Sequence, residues 1–338
     1  MIYRQLGNSG IQLPALTLGA WCIQPAEKGG VPKDSSMAAL RKGYELGCNA
    51  IDTSAAYGFG FSETVVAEVI EDLARDKITL LSKCGIVAEG NKGRYIGRFQ
   101  GNGIDADCYY YAGKESVIKQ CENSLRRLRT DYIDLYSLHV PDQTTPIAET
   151  MEAFDQLLRQ GKIRAAGVCN YSAEQLKEAA QHVRLSSIKR PYSMLNRQIE
   201  NDVVPFCLEN NIGVLAYTVL QRGILTGRNY PKFLRSRDED PAEALLYEPE
   251  NMRNIRIFLD RITPLALDKG VETTHLCLRW VIEQPWHPVA LIEASNAAQV
   301  EDDFKAVTIS FTQEDMDIMN QHLAELVAQL DFSAPVPV

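Results

Sequence analysis

From Leu16 onward, short apolar runs of strand length alternate with longer stretches whose apolar residues recur at helical spacing. Strand one is Leu16–Gly19, and the helix after it opens with Asp34 as its cap and runs to about Leu46. Strand two ends at Asp52 and is followed by a helix over about Ser62 to Ala74. Strand three, Ile78 to Lys83, leads into a long Gly- and Tyr-rich loop and then a helix from Lys114 to Leu128. Strand four, Tyr132 to His139, is followed by a helix opened by Pro146 and running to about Gln160. Ile163 to Asn170 is strand five, with Ser172 capping the next helix. Ser187 to Ser193 is strand six, with a helix beginning near Glu200. Gly213 to Leu220 is strand seven, followed by a charged insertion and helices over 251–269 and 273–284. Val289 to Glu293 is strand eight, and Asn296 starts its helix.

Two alternating runs around a Gly/Asn/Ser turn predict an N-terminal hairpin within residues 1–14. A last helix, from about Gln313 to Ala328, lies outside the repeat within a C-terminal segment, 311–338. Eight β-α units without a composition break predict one closed (β/α)8 barrel spanning the chain. An open doubly wound sheet would normally show GxGxxG at its first turn, and Gly19-Ala20-Trp21-Cys22 is not that motif. In a barrel the segments 84–113 and 221–250 become loops at the active-site mouth.

The strand ends carry the chemistry. Asp52 closes strand two, Lys83 strand three and His139 strand four, while Tyr57 sits on the loop just after Asp52. Each type is common at strand ends as a cap or solubilising group. An acid, a phenol, an ammonium and an imidazole above one edge of one barrel make a proton-transfer site. No His/Asp/Glu set gathers there as metal ligands, which argues against a metal-dependent hydrolase.

The formal charge of -9 over 338 residues argues against a nucleic-acid or anionic-membrane partner. Eight cysteines contain no CxxC pair and mostly fall in apolar runs, so they read as reduced thiols in a reducing compartment. The amino terminus has no signal-peptide pattern and no apolar run reaches bilayer length, which predicts a cytoplasmic protein.

Six stretches in order make the chain resemble the aldo-keto reductase family over nearly its whole length. They are Ile51-Asp52 to Tyr57-Gly58, Ser82-Lys83, Leu138-His139, Gly161 through Asn170, Tyr192 through Arg197, and Tyr217 through Gly227. The resemblance implies hydride exchange between a nicotinamide cofactor and a small carbonyl or alcohol. Tyr57 would be the general acid/base. Its phenol, ordinarily of pKa about 10, would be lowered by Lys83, which Asp52 keeps charged. His139 would orient the substrate oxygen. A nucleotide-binding regulatory protein with little turnover is the alternative on the same barrel.

For the cofactor, the resemblance implies Gly19, Trp21 and Asp52 near the nicotinamide, with Asn170 bonding its carboxamide and Tyr217 stacking on its ring. Thr218, Val219, Leu220, Gly223 and Leu225 would belong to the clasping loop, and Glu293, Ser295, Gln299, Asp302 and Asp303 to the adenosine side. Cys169 replaces the usual Ser, and Lys189 stands where Gln is usual, facing the nicotinamide or bending away to solvent. Glu293 replaces a usual Gly, Ser295 lies where a Lys or Arg is frequent, and Asp303 replaces a common Asn. Those acids pull toward NAD(H), whereas NADP(H) is the commoner family cofactor, and both stay open. Trp21, Tyr57, Phe59, Tyr109, His139 and Val140 would line the substrate pocket, with Tyr110 and Tyr111 packing the loop beside Tyr109.

Overall fold

The computed structural model describes residues 1–25, 27, 29–88, 90–227 and 244–330. The C-terminal tail and most of the insertion after strand seven, both assigned above, lie outside the described residues.

Among the described residues eight parallel strands close a barrel: β3 (Leu16–Gly19), β4 (Ala50–Asp52), β5 (Thr79–Cys84), β9 (Ile133–Leu138), β10 (Ile163–Cys169), β11 (Leu185–Pro191), β12 (Gly213–Tyr217) and β13 (Val289–Glu293), the last pairing back onto β3. The strands are buried almost throughout because helices cover their outer faces. Inside, Ala50, Leu81, Leu135, Ala165, Leu215, Val289 and Leu291 fill the lower barrel. The next residues toward the strand C-termini are polar, and there the packed interior gives way to the site.

The N-terminal hairpin, β1 (Tyr3–Gln5) with β2 (Gln12–Pro14), closes the opposite end. Leu6 and Leu13 dock into the interior cluster with near-zero exposure. Gly7 allows that approach: its φ is 47°, and a Cβ there would lie 2.6 Å from the backbone oxygen of Asn211.

Several boundaries differ from the sequence reading for local reasons. The segment read as a Gly- and Tyr-rich loop contains a three-stranded antiparallel sheet: β6 (Ile86–Val87), β7 (Arg94–Gly101) and β8 (Ile104–Tyr110). It shows no apolar alternation because most of its residues stay at least partly exposed on both faces. Strand seven ends at Tyr217, since Thr218 turns to a φ of 54°, and strand five ends at Cys169, since Asn170 sits at 63°. Strand six is shifted to Leu185–Pro191. The first helix, α1 (Lys33–Glu45), has Pro32 at its N-cap, so Asp34 lies in the first turn without capping. The next, Phe61–Ile70, stops short of Ala74, and a short 3-10 turn at Arg75–Lys77 takes over before β5. The helix near Glu200 begins at Val203 after a 3-10 turn. Ser172 and Asn296 do cap their helices, each accepting a backbone N–H three residues on.

No helix among the described residues is long and apolar enough to cross a membrane. All eight cysteines carry free thiols, seven of them buried. Oxidised and reduced samples are therefore expected to migrate identically on a denaturing gel, and an intramolecular disulfide found by mass spectrometry would contradict this.

Candidate active site

The parallel register brings the polar residues to one rim. Gly19 pairs with Asp52 and with Glu293, Lys83 with Ser137, Cys169 with Lys189, and Pro191 with Tyr217. At the centre Lys83 Nζ donates to Asp52 Oδ2 at 2.7 Å, to the Thr53 carbonyl at 2.8 Å and to Tyr57 Oη at 3.0 Å. The Tyr57 ring meets His139 edge-on, with centroids 5.8 Å apart. His139 Nδ1 lies 3.3 Å from Ser54 Oγ. Thr53 and Ser54, which directly follow Asp52, thus orient Lys83 and His139, roles that sequence reasoning did not assign.

Lys189 does not reach solvent. It is 1% exposed and donates to Asp52 Oδ1, so one carboxylate serves two ammonium groups. Burial would raise the Asp52 pKa, but Lys189 and Lys83 outweigh it and hold the carboxyl below its ordinary range. Burial, with help from both ammoniums, pushes His139 down to about 3, so the imidazole is neutral and donates from one nitrogen only. Tyr57 departs from expectation. Burial, then the Asp52 and Glu293 carboxylates, raise its phenol well above the ordinary value, and the expected lowering by Lys83 does not prevail. The cause is that Asp52 offsets the Lys83 charge while desolvation penalises phenolate.

The cofactor-side assignments sort differently. Asn170 spans two partners, donating to the His139 carbonyl at 3.0 Å and accepting from the Tyr217 hydroxyl at 2.5 Å. Cys169 is buried, and burial pushes its thiol up to about 11, so it offers only a weak donor. Val219 and Leu225 point into the core, which leaves only their backbones for a ligand. Glu293 reaches over Gly19, where a Cβ would collide with its Oε1, and accepts the Cys22 N–H at 3.1 Å. Glu293 is exposed as a residue, yet desolvation where its carboxyl meets the rim raises that group to about 7.

At the rim Trp21 is 42% exposed, while Phe59 and Val140 are half-buried. Tyr109 packs edge-on against Tyr95 at 5.5 Å, and Tyr110 lies under Arg94 at 4.8 Å. Both rings therefore pack the β7–β8 sheet.

The family model for the aldo/keto reductase family matches residues 15–324. The chain belongs to the aldo/keto reductase family. It is 31% identical to Aldo-keto reductase YhdN of Bacillus subtilis (strain 168), over 99% of this chain and 98% of the relative. It is 33% identical to the NADH-specific methylglyoxal reductase of Escherichia coli (strain K12), over 94% and 96%. Among solved structures, the glycerol dehydrogenase AKR11B4 from Gluconobacter oxydans superposes with a TM-score of 0.81 at 29% identity, covering 99% of this chain and 97% of that one. The protein is accordingly an oxidoreductase that interconverts carbonyl and alcohol with NAD(H) or NADP(H).

The residues present fit such a dinucleotide. A cleft of ≈ 430 Å³ between the loop after β12 and the loop after β13 is lined by Leu220, Ser295, Asn296, Gln299, Asp302 and Asp303, among others. Gln299 ties its wall together, accepting from Ser295 N at 3.1 Å and donating to the Glu293 carbonyl at 3.1 Å. After β12, Thr218, Gln221, Arg222 and Gly223 all take positive φ. The Gln221 and Gly223 N–H groups close turns onto the Thr218 and Leu220 carbonyls, which fixes the shape of that loop beside the cleft.

Proposed function

We propose that this reductase uses NADH to reduce small polar carbonyl compounds, such as 2-oxoaldehydes and short sugars, with Tyr57 as the proton donor. The observation that carries the catalytic part is the chain Asp52–Lys83–Tyr57, with contacts of 2.7 and 3.0 Å, beside a neutral His139. The substrate class is suggested by relatives named for methylglyoxal reduction and glycerol dehydrogenation. A cytoplasmic setting agrees with the free thiols.

The nicotinamide, when bound, supplies the hydride. The rest falls to the chain. His139, neutral and steadied by Ser54, donates a hydrogen bond to the substrate oxygen and fixes its place against Tyr57. Charge then develops on that oxygen, and the Tyr57 hydroxyl delivers its proton there. Because burial keeps the phenol protonated at neutral pH, the donor is loaded before substrate arrives. Lys83 stabilises the phenolate left behind, and Asp52 and the Thr53 carbonyl hold Lys83 in reach. The reverse reaction returns the alcohol proton to Tyr57.

The preference for NADH rests on the adenosine side of the cleft. Asp302 and Asp303 are both there, Asp302 already accepting from Lys305 at 2.8 Å, and no Lys or Arg is among the described lining residues. Carboxylates bond free ribose hydroxyls and repel a 2'-phosphate. NADH is expected to raise the melting temperature at concentrations where NADPH leaves it unchanged, and Ser295→Lys should narrow that difference. Tighter binding of NADPH by the unaltered protein would overturn the assignment. Turnover of methylglyoxal and glyceraldehyde, followed by NADH absorbance, tests the reaction itself.

A further inference from the structure

Two charged residues at the rim have no part in the Asp52–Lys83–Tyr57 relay, yet both face it. Lys189 stands inside β11, buried, with its ammonium on the Asp52 oxygen that Lys83 does not use. Glu293 ends β13 and leans across Gly19, which separates it from Asp52 in the register. Gly19 lacks the side chain that would block this path. Lys189 thus reaches Asp52 from the strand across the barrel and Glu293 comes from two strands along the wall, one positive and one negative.

The groups around Tyr57 can be taken strand by strand. Asp52 comes from β4, Lys83 from β5, His139 follows β9, Cys169 ends β10, Lys189 comes from β11, Tyr217 ends β12 and Glu293 ends β13. His139 is neutral, and Cys169 is a thiol at neutral pH. Four charges remain. With Lys189 and an ionised Glu293 present, two ammoniums face two carboxylates. Take Lys189 away and two carboxylates press on the phenol against one ammonium. Take Glu293 away and the balance tips the other way. Lys189 also carries a cost: burial first, and Lys83 after it, depress its ammonium below the ordinary value, with Asp52 opposing them only in part. A buried lysine whose charged form burial disfavours calls for a role in the site.

We propose that Lys189 and Glu293 are an offsetting pair of positioning charges that together set how tightly Tyr57 holds its proton. The inference rests on Tyr57 being the acid/base of the proposed reaction. In alcohol oxidation the hydroxyl proton passes to the Tyr57 phenolate as the hydride leaves carbon, so the ascending limb of that reaction's pH profile reports the Tyr57 pKa. The pair lets the site carry an additional carboxylate against the Trp21–Cys22 backbone without locking the phenol shut.

The test is a double-mutant cycle on the full-length protein with Lys189→Gln, Glu293→Gln and both together. The apparent pKa of kcat/KM for glycerol oxidation should rise by about one pH unit or more in Lys189→Gln and fall in Glu293→Gln. In the double variant it should return close to the unaltered value. A purely structural role would lower the plateau and leave the pKa where it was, which would overturn the proposal, as would two shifts of the same sign. A second readout needs neither cofactor nor turnover. At pH 8, with Glu293 ionised, Glu293→Gln should raise the melting temperature more in the Lys189→Gln background than alone. Additive melting temperatures would also overturn the pair. If the unaltered protein turned over no alcohol or carbonyl, the functional reading would fail on its own while the melting cycle still decided the coupling.

Discussion

Tyr57→Phe is expected to reduce turnover by roughly 10²- to 10⁴-fold, the usual worth of a positioned general acid, while cofactor affinity stays within a few-fold. The substitution deletes one oxygen and keeps the ring. Its edge-on contact with His139 survives, and Lys83 retains Asp52 and the Thr53 carbonyl as acceptors. The fold has little reason to respond. What disappears is the only group, among the described residues, within hydrogen-bond reach of Lys83 that can give up a proton to a substrate oxygen. Single-turnover mixing with pre-bound NADH would separate chemistry from binding. A parallel loss of NADH affinity would mean that Tyr57 shapes the pocket and that the donor is elsewhere.

Asp52→Asn should have the largest effect on stability. It leaves Lys83 and Lys189 facing one another, buried, without a carboxylate between them. Breaking a buried ion pair from one side typically costs about 3–5 kcal/mol, because the remaining charge is stranded. The pH dependence has a definite sign. In the unaltered protein the folded Asp52 pKa is depressed, so its contribution is full above the unfolded carboxylate value, about 3.9, and is lost as pH falls through the lower folded value. In the variant the stranded ammoniums can shed protons, so stability should recover as pH rises toward the ordinary lysine value, about 10.4. Urea unfolding of both proteins at pH 7 and pH 9.5 would show the gap narrowing. A gap that does not change with pH would mean that the lysines already have other counter-charges.

How far these conclusions were available in the sequence differs residue by residue. Asp52, Lys83 and His139 each end an apolar run, and once the runs are parallel strands their convergence follows from register alone. The Lys189–Asp52 bond was not legible. The partners come from strands far apart in the chain, and Lys189 sits in a run whose alternation fits an outward side chain as well as an inward one. The sign of the Tyr57 shift was misjudged for a related reason. Lys83 is easy to credit from its spacing, whereas the burial that dominates the shift, and the Asp52 charge that offsets Lys83, appear only once the strands are closed into the barrel. The β7–β8 sheet was missed because a strand wet on both faces has no apolar period to read.

The plug at the barrel floor has a consequence for the order in which the chain is made. Leu6 and Leu13 leave the ribosome well before the barrel is complete, yet the surface that receives them includes Leu215, Val289 and Leu291, from the last two barrel strands. That surface does not exist until β13 has emerged and paired with β3. Through most of synthesis the hairpin therefore waits undocked, an apolar segment of very high contact order held in reserve. Chains arrested anywhere before Val289 should expose it to chaperones or proteases, and its burial would mark the moment at which translation has passed the final strand.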